Sequence, residues 1–348
     1  MNPRSKILVL TNPSDAHSDA VIHFVNKLGG EVVRWHPAEV NTDSTILVAR
    51  DRDAVSIESS GRTFGLEEIS SCWYRRPDPV QDHPNGTHVV DRHLVKQEAN
   101  AVLWGLYGRL RTTWYSHPYC IRSAAWKLYQ LDVAHHVGFR IPDYVVSNRA
   151  MILSEFIESH RYVVLKPIDE KTTTFEIDGQ PMNLYVKKFA REDLRGLGDN
   201  DPISPCLLQE YIDKTSDVRI TVIGRQVYCT RILQPSEGEE LTDWRKRTLE
   251  LDHEDIACPD TIREAVLSYN TIMGLNFSAF DFAIGRDGEW YFLECNPNGQ
   301  WLWIEIKTGV NLAEVFARHL MLLHPPLIAN FCGRREIDAM STPVLSSY

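Results

Sequence analysis

Residues 278–301, SAFDFAIGRDGEWYFLECNPNGQW, place two carboxylates and an amide oxygen where a hard cation could be held. Asp281-Phe282-Ala283-Ile284 and Trp290-Tyr291-Phe292-Leu293-Glu294 read as two strands, both rich in aromatic and β-branched residues. Asp287-Gly288 between them signals a two-residue type I′ turn, which needs positive φ at both positions. Such a turn sets Arg286 opposite Glu289, and counting outward sets Asp281 opposite Glu294. Side chains alternate along a strand, so Glu294 and Asn296 share one face. Carboxylates placed opposite each other repel unless a cation joins them. Two carboxylates and one amide oxygen between apolar walls suit Mg²⁺, which takes a few carboxylates plus the phosphate oxygens of a nucleotide.

Four further features could serve that nucleotide. Lys127 lies on a helix pattern, and Lys166 closes the strand pattern of residues 162–167, just before Pro167. A lysine pointing inward from a strand is costly to bury unless an anion meets it, and a triphosphate is such an anion. Either lysine alone reads better as a surface residue with its stem along apolar neighbours. Leu208-Gln209-Glu210-Tyr211-Ile212 is a strand leaving toward a charged loop, a crossing whose backbone N–H and C=O groups could face an adenine edge. Asp217-Val218-Arg219 follows, with Arg231, Arg245, Lys246 and Arg247 downstream. Arginine forks suit phosphate and carboxylate oxygens. Each feature is weak alone, and their weight lies in occurring together and in this order.

The elements that must position these residues are legible in the hydrophobic pattern. Residues 6–11 read as a buried strand, a helix then runs to Leu28 before Gly29-Gly30, and residues 31–35 form a second strand. This β-α-β opening implies a Rossmann-like lobe, but no G-x-G-x-x-G run is present, so the first loop is not expected to bind a dinucleotide. Residues 70–77 read as a strand ending on a basic pair, and residues 89–110 as a long helix. A second helix starts at Arg122 with Ala124, Leu128, Leu131 and His135 on one face and Gly138 beyond its end. Residues 184–189, 206–211 and 218–223 are strand candidates. Residues 227–233 pair with the last of these through Gly224-Arg225-Gln226. Residues 259–273 and 313–323 read as helices, and the tail from Pro325 is expected to pack loosely.

The chain has 348 residues, which suits two or three packed lobes. Its 43% hydrophobic and 24% charged residues are ordinary for a globular enzyme. A net charge of −10 argues against a nucleic-acid or membrane-surface binder, so an acidic ligand must meet local basic patches. The seven cysteines are scattered without a C-x-x-C pair, which fits reduced thiols in a cytoplasm better than a disulfide frame or zinc site. The opening strand pattern lacks the apolar core of a signal peptide, and no run of about eighteen apolar residues is present to span a membrane.

In the order Lys127, Lys166-Pro167, Gln209-Glu210-Tyr211-Ile212, Asp217-Val218-Arg219, Asp281 and Glu294-x-Asn296, the sequence resembles the ATP-grasp superfamily. The middle and C-terminal portions are similar to RimK-type ligases. A closer resemblance is to the maturases of microviridin-type peptides, the graspetide ligases. It rests on Trp73-Tyr74-Arg75-Arg76-Pro77, on Gln209-Glu210-Tyr211-Ile212-Asp213-Lys214 running into Asp217-Val218-Arg219, and on Asn296-Pro297-Asn298-Gly299-Gln300-Trp301. It covers roughly residues 5–323. Two departures stand out: Asp169-Glu170-Lys171-Thr172-Thr173-Thr174 replaces the glycine-rich lid of many ATP-grasp enzymes, and Ser116-His117-Pro118 stands where relatives carry Asn before Pro.

The resemblance implies an α/β ATP-grasp fold, with a Rossmann-like pre-ATP-grasp lobe over residues 1–113, a central lobe over 114–212, a C-terminal lobe over 213–324 and a tail over 325–348. ATP is expected between the central and C-terminal lobes, with two Mg²⁺ on Asp281, Glu294 and Asn296. Lys127, Lys166 and either Arg219 or Arg245 would hold the remaining phosphate oxygens, with Lys166, Arg219 and Arg245 as the catalytic set. Gln209, Glu210, Tyr211 and Ile212 would flank adenine, and Asp217 would reach the ribose or orient Arg219. A substrate carboxylate attacks the γ-phosphate, and a hydroxyl or amine displaces phosphate from the acyl phosphate. The partner so implied is a precursor peptide with a leader and a core rich in Thr, Ser, Asp, Glu and Lys, the enzyme a cytoplasmic homodimer. The leader would lie along residues 218–233 beside the helix at 259–273. Three readings compete: a maturase closing side-chain esters or amides, a RimK-like ligase using small amino acids or a protein C-terminus, and a nucleotide-binding module without catalysis. The intact acidic set disfavours the last.

Overall fold

The computed structural model describes residues 6–49, 55–82, 89–110, 112–169, 174–177, 180–183, 186–190, 192, 204–233, 242, 244, 250–323 and 326–328. The opening β-α-β is present: Lys6–Leu10 and Glu31–Trp35 are parallel neighbours joined by the helix Ala16–Lys27. Ile69–Tyr74 and Thr113–Trp114 extend the same parallel sheet on the other side. Asp15 caps the helix by accepting from the His17 N–H, and Gly29 ends it at φ 81°. A three-stranded meander (Ser44–Val48, Val55–Ser59, Arg62–Gly65) and the long helix Val89–Arg109 complete this part.

The helix expected from Arg122 is two helices, Pro118–Ala124 and Lys127–His136, with Trp126 at the N-cap of the second. The buried face is Lys127, Gln130, Leu131, Val133 and Ala134, whereas Leu128 is 47% exposed. The polar residues went inside because each has a partner there: Lys127 meets Glu294, and Gln130 bonds the backbone of Ala124 and Cys295. Gly138 ends the helix at φ 83°, as its position implied. The Ser116-His117-Pro118 departure is accommodated locally. Ser116 sits at φ 60° with its Oγ accepting from the Asn276 and Phe277 N–H groups, and His117 caps the helix through Nδ1.

A central antiparallel sheet runs in the order Lys187–Ala190, Tyr162–Lys166, Cys206–Glu210, Tyr144–Ser147. The helix Ala150–Ser159 covers it through Leu153 and Ile157 against Val163 and Leu208. A short hairpin, Thr174–Ile177 with Gln180–Asn183, lies in the stretch where a lid is expected.

The C-terminal sheet has the order His253–Asp255, Gln226–Leu233, Lys214–Ile223, Phe277–Gly285, Trp290–Asn296. Val218, Ile220, Phe280, Phe282 and Phe292 face one side and pack on the helices Asp260–Met273 and Lys127–His136. Phe139 joins them, stacked on Phe292 at 5.4 Å and edge-on to Phe282 at 5.1 Å. Each such ring stabilises by about 1.5–3 kcal/mol through burial, so this core fixes the register of the sheet. The opposite face carries Asp217, Arg219, Asp281 and Glu294.

The acidic hairpin pairs Asp281 with Glu294 as counted from the sequence, but by a different route. Its turn has three residues, Arg286-Asp287-Gly288, closing Gly285 onto Glu289, and of these Gly288 alone takes positive φ. The extra residue lets Arg286 meet Asp213 through both its backbone N–H and its side chain. The register is thereby shifted one place, Phe282 facing Phe292 rather than Leu293, and a bulge at Leu293 restores it before Glu294. Two helices, Leu302–Thr308 and Leu312–Leu320, follow. Trp301 and Phe316 bind this end to Ile7 and Trp73 of the first sheet and to Val21 of its helix. The start of the tail is not loose: the Asn276 amide clamps Ile328 through both the N–H (2.7 Å) and the C=O (2.9 Å). The rest of the tail, from residue 329, lies outside the described residues.

Candidate active site

A cleft separates the central from the C-terminal sheet. Val164, Lys166 and Gln209 form its central-sheet wall, and Glu210, Tyr211 and Ile212 cross between the sheets at its edge. Lys214, Asp217, Asp281, Leu293 and Glu294 form the C-terminal wall, with Trp244 at one end.

Three ion pairs organise this wall. Arg219 Nη1 donates to Asp281 Oδ1 at 2.8 Å, Lys127 Nζ to Glu294 Oε2 at 2.5 Å, and Lys214 Nζ to Asp217 Oδ1 at 2.7 Å. All six side chains are at most 18% exposed. Desolvating so many charges is poor value for stability alone, since well-packed apolar residues of similar volume often do as well. Lys166 Nζ donates to the Leu293 carbonyl at 3.1 Å, a carbonyl that the bulge turns toward the cleft. Gln209 is buried, and its Oε1 has no hydrogen-bond partner among the described residues.

The structure therefore gathers Lys166, Gln209, Glu210, Tyr211, Ile212, Asp217, Asp281 and Glu294 around one cleft, with Lys127 and Arg219 joined to it through their carboxylates. Asn296 lies next to Glu294's face, its Oδ1 accepting from the Asn298 N–H at 3.0 Å. Arg231 does not join the site and faces Glu254 at 3.6 Å instead. Arg245, Lys246 and Arg247 lie outside the described residues. Of the crossing backbone, the Glu210 N–H is bonded to the Asp143 carbonyl and the Tyr211 N–H to the Tyr162 carbonyl, so neither is aimed at a base. Lys188 Nζ sits 3.7 Å over the Tyr211 ring, covering one of its faces.

The acidic set fits a hard cation. Asp281 and Glu294 are cross-strand partners, and the Asn296 oxygen lies on their face two residues on. Arg219 and Lys127 pair with the two carboxylates. A second group, Asp143, His160 and Glu210, has ligand atoms within 4.8 Å of one another. Its Asp143 side chain is 78% exposed, so water solvates that carboxylate and no cation is demanded there.

Lys214, quoted above only as the end of a motif, joins the site with Trp244 and Leu293, none of which the sequence pattern assigns a role. Lys214 and Asp217, three apart, would point to opposite faces of a regular strand, but a bulge at Thr215 brings them together. Trp244 comes from a polar stretch whose periodicity gives no element.

The run Trp73-Tyr74-Arg75-Arg76-Pro77 touches the run Asn296-Pro297-Asn298-Gly299-Gln300-Trp301. Arg75 Nη1 donates to the carbonyls of Asn298 (2.7 Å) and Gly299 (3.2 Å), and Arg76 Nε to that of Asn298 (3.1 Å). The Asn298 amide donates back to the Arg75 carbonyl. Behind Arg75 lies Asp15, 3.4 Å from its Nε. Burial raises the Asp15 pKa, but bonds from His17 and Thr11 and the Arg75 charge outweigh it and hold the carboxyl down to about 2. Burial, then Arg76, pushes Arg75 down to about 9, still a cation at neutral pH.

No family model matches the chain. Among curated proteins, human N-acetylaspartylglutamate synthase A is 24% identical over 125 residues, which span 35% of this chain and about a third (31%) of that protein. Solved structures match nearly the whole chain. The RiPP-associated ATP-grasp ligase of Chryseobacterium gregarium, in complex with ADP and a leader and core peptide, superposes with a TM-score of 0.82 at 25% identity, covering 94% of this chain and 100% of that one. The macrocyclase MdnC of Microcystis aeruginosa, bound with its precursor peptide MdnA, gives a TM-score of 0.79 at 22% identity over 91% of this chain and 99% of that one. The ligase PsnB, complexed with a phosphomimetic variant of its minimal precursor, Mg and ADP, gives 0.73 at 18% identity over 92% and 99%. The fold is thus an ATP-grasp fold. Within that class the chain resembles the RiPP-associated ligase over 94% of its length and the macrocyclase over 91%. Among the described residues no helix is long and apolar enough to cross a membrane.

Proposed function

We propose that the chain is an ATP-dependent ligase that activates Asp or Glu side chains of a ribosomally made precursor peptide as acyl phosphates and closes ester or amide links to Thr, Ser or Lys side chains. The observation that carries this reading is the cleft wall of three buried ion pairs in a fold superposing on ligases solved with ADP and precursor peptides.

In this reading Gln209 and the crossing segment hold adenine, and Asp217, fixed by Lys214, faces the ribose. Lys127 and Lys166 meet phosphate oxygens. Asp281, Glu294 and Asn296 would hold Mg²⁺, two ions in the full complex. Bound Mg²⁺ supplies neutralisation of the charge on the β- and γ-phosphates. Arg219, which donates to Asp281, or Arg245, meets the transferred phosphoryl group or the core carboxylate. The substrate carboxylate adds at the γ-phosphorus with ADP leaving; the hydroxyl or amine then adds at the acyl carbon, loses its proton, and expels phosphate. A homodimer belongs to this proposal, and a solution mass near 39.9 kDa would remove it.

Lys166→Ala is expected to weaken nucleotide binding about tenfold to a hundredfold, the worth of a charge-assisted bond to a ground-state phosphate. Calorimetry with ATP and Mg²⁺ measures it, and an unchanged affinity removes Lys166 from the phosphate site.

The substrate class is tested with peptide. A maturase should read a leader remote from the reacting residues, because remote binding energy positions a flexible core. The hairpin Lys214–Ile223 with Gln226–Leu233, beside the helix Asp260–Met273, is the proposed leader surface. An unmodified precursor, or its leader alone, should bind far more tightly than any free amino acid, and each ring should appear in mass spectra as the loss of one water. The stretch shared with N-acetylaspartylglutamate synthase A favours a second reading, a ligase for small amino acids. Robust turnover with free glutamate, and none with a leader-bearing peptide, would establish that second reading instead.

A further inference from the structure

We infer that Arg75, from the N-terminal sheet, is a positioning residue for the cation site, acting through the loop of residues 297–300; this rests on the metal reading above. The loop's backbone carbonyls are held by arginines on two sides, Arg75 with Arg76, whose Nε donates to the Asn298 carbonyl at 3.1 Å, and Arg219. Those of Asn298 and Gly299 accept from Arg75, and that of Gln300 accepts from Arg219 Nη2 at 3.2 Å. Arg219 in turn holds Asp281. On its other side the loop fixes Asn296, whose Oδ1 accepts from the Asn298 N–H. Moving the loop therefore moves the Asn296 oxygen and the Arg219 guanidinium together.

The loop has little freedom to find this place unaided. Arg75 is 1% exposed, and its fork is held by Asp15 at 3.4 Å from Nε and by the Asn298 Oδ1, which accepts from Nη1 at 3.2 Å. His17 Nε2 accepts from the Trp301 and Leu302 N–H groups at 3.1 and 3.2 Å, pinning the far end of the loop to the first helix. Gly299 lies so close to the sheet that an added Cβ would fall 2.5 Å from Ala279 Cβ. Partners of this outer kind, which orient a ligand without touching the ion, typically change metal affinity 10- to 100-fold when replaced.

The experiment is Arg75→Lys, which keeps the charge and loses the fork. Binding of Mn²⁺ is read by electron paramagnetic resonance in the presence of a non-hydrolysable ATP analogue, and analogue binding is read separately in chelator. The expected result is Mn²⁺ affinity lower by about tenfold or more with analogue affinity in chelator unchanged. Equal Mn²⁺ affinity in the variant and the parent overturns this inference alone. A parent chain that binds no Mn²⁺ overturns it together with the metal reading. Should Arg75→Lys fail to fold, Asn298→Ala, which removes the return bond to the Arg75 carbonyl, is read by the same two measurements.

Discussion

Asp281→Asn and Glu294→Gln should each reduce ATP turnover to background while leaving the protein folded. Both changes keep side-chain size and remove one charge from a pair that the ladder sets face to face. The fold should tolerate them because Arg219 and Lys127 can still donate to an amide oxygen at the same place. Chemistry should not, because a carboxylate holding a phosphate-bound cation acts most strongly when charge moves onto the leaving phosphate. A contribution of about 3–4 kcal/mol, or a factor of several hundred, is a reasonable floor for losing such a group. Turnover is followed by phosphate release at saturating ATP and Mg²⁺, with circular dichroism reporting the fold. Parental turnover in either variant means that the hairpin is not the metal site.

Lys214→Ala should destabilise the protein by about 3–5 kcal/mol, the usual result of removing one partner of a buried pair. The Asp217 carboxylate is 1% exposed and would lose the Nζ that sits 2.7 Å from it. The same Nζ also bonds the Thr242 carbonyl at 3.1 Å, so a second contact goes with it. The double change Lys214→Met with Asp217→Leu should recover most of the stability and none of the activity, since an apolar pair fills the space but offers a ligand no charge. Denaturant unfolding followed by tryptophan fluorescence separates the two. A loss below about 1 kcal/mol for Lys214→Ala would mean that water reaches the pair and that it is no more than a surface bridge.

Much of the site was legible because its residues sit on strands, where a period of two fixes which side chains share a face. Asp217 with Arg219, and Glu294 with Asn296, follow from that rule alone. The pairing of Asp281 with Glu294 was reached from a two-residue turn and an unbroken ladder, and both premises fail. The loop holds one residue more and the strand bulges by one, so the two offsets cancel. Where only one offset acts, the period misleads: the bulge at Thr215 hid Lys214. The buried face of the helix Lys127–His136 was misjudged for another reason. Hydrophobicity assigns Leu128 inward and Lys127 outward, but Lys127 has an anionic partner 167 residues away that no local pattern reveals. The contact of Arg75 with Asn298, 223 residues on, is equally non-local.

The bulge at Leu293 also separates the history of the turn from that of the site. Beyond it, Glu294 takes its place from Asp281 on the neighbouring strand, and Asp281 from Arg219 on the next. A residue gained or lost among Arg286, Asp287 and Gly288 changes how the chain reverses, yet the displacement stops at the bulge instead of reaching the carboxylates. The tip is thus ground on which insertions can accumulate without a change in chemistry, and a place where a reporter peptide or a new terminus could be accommodated.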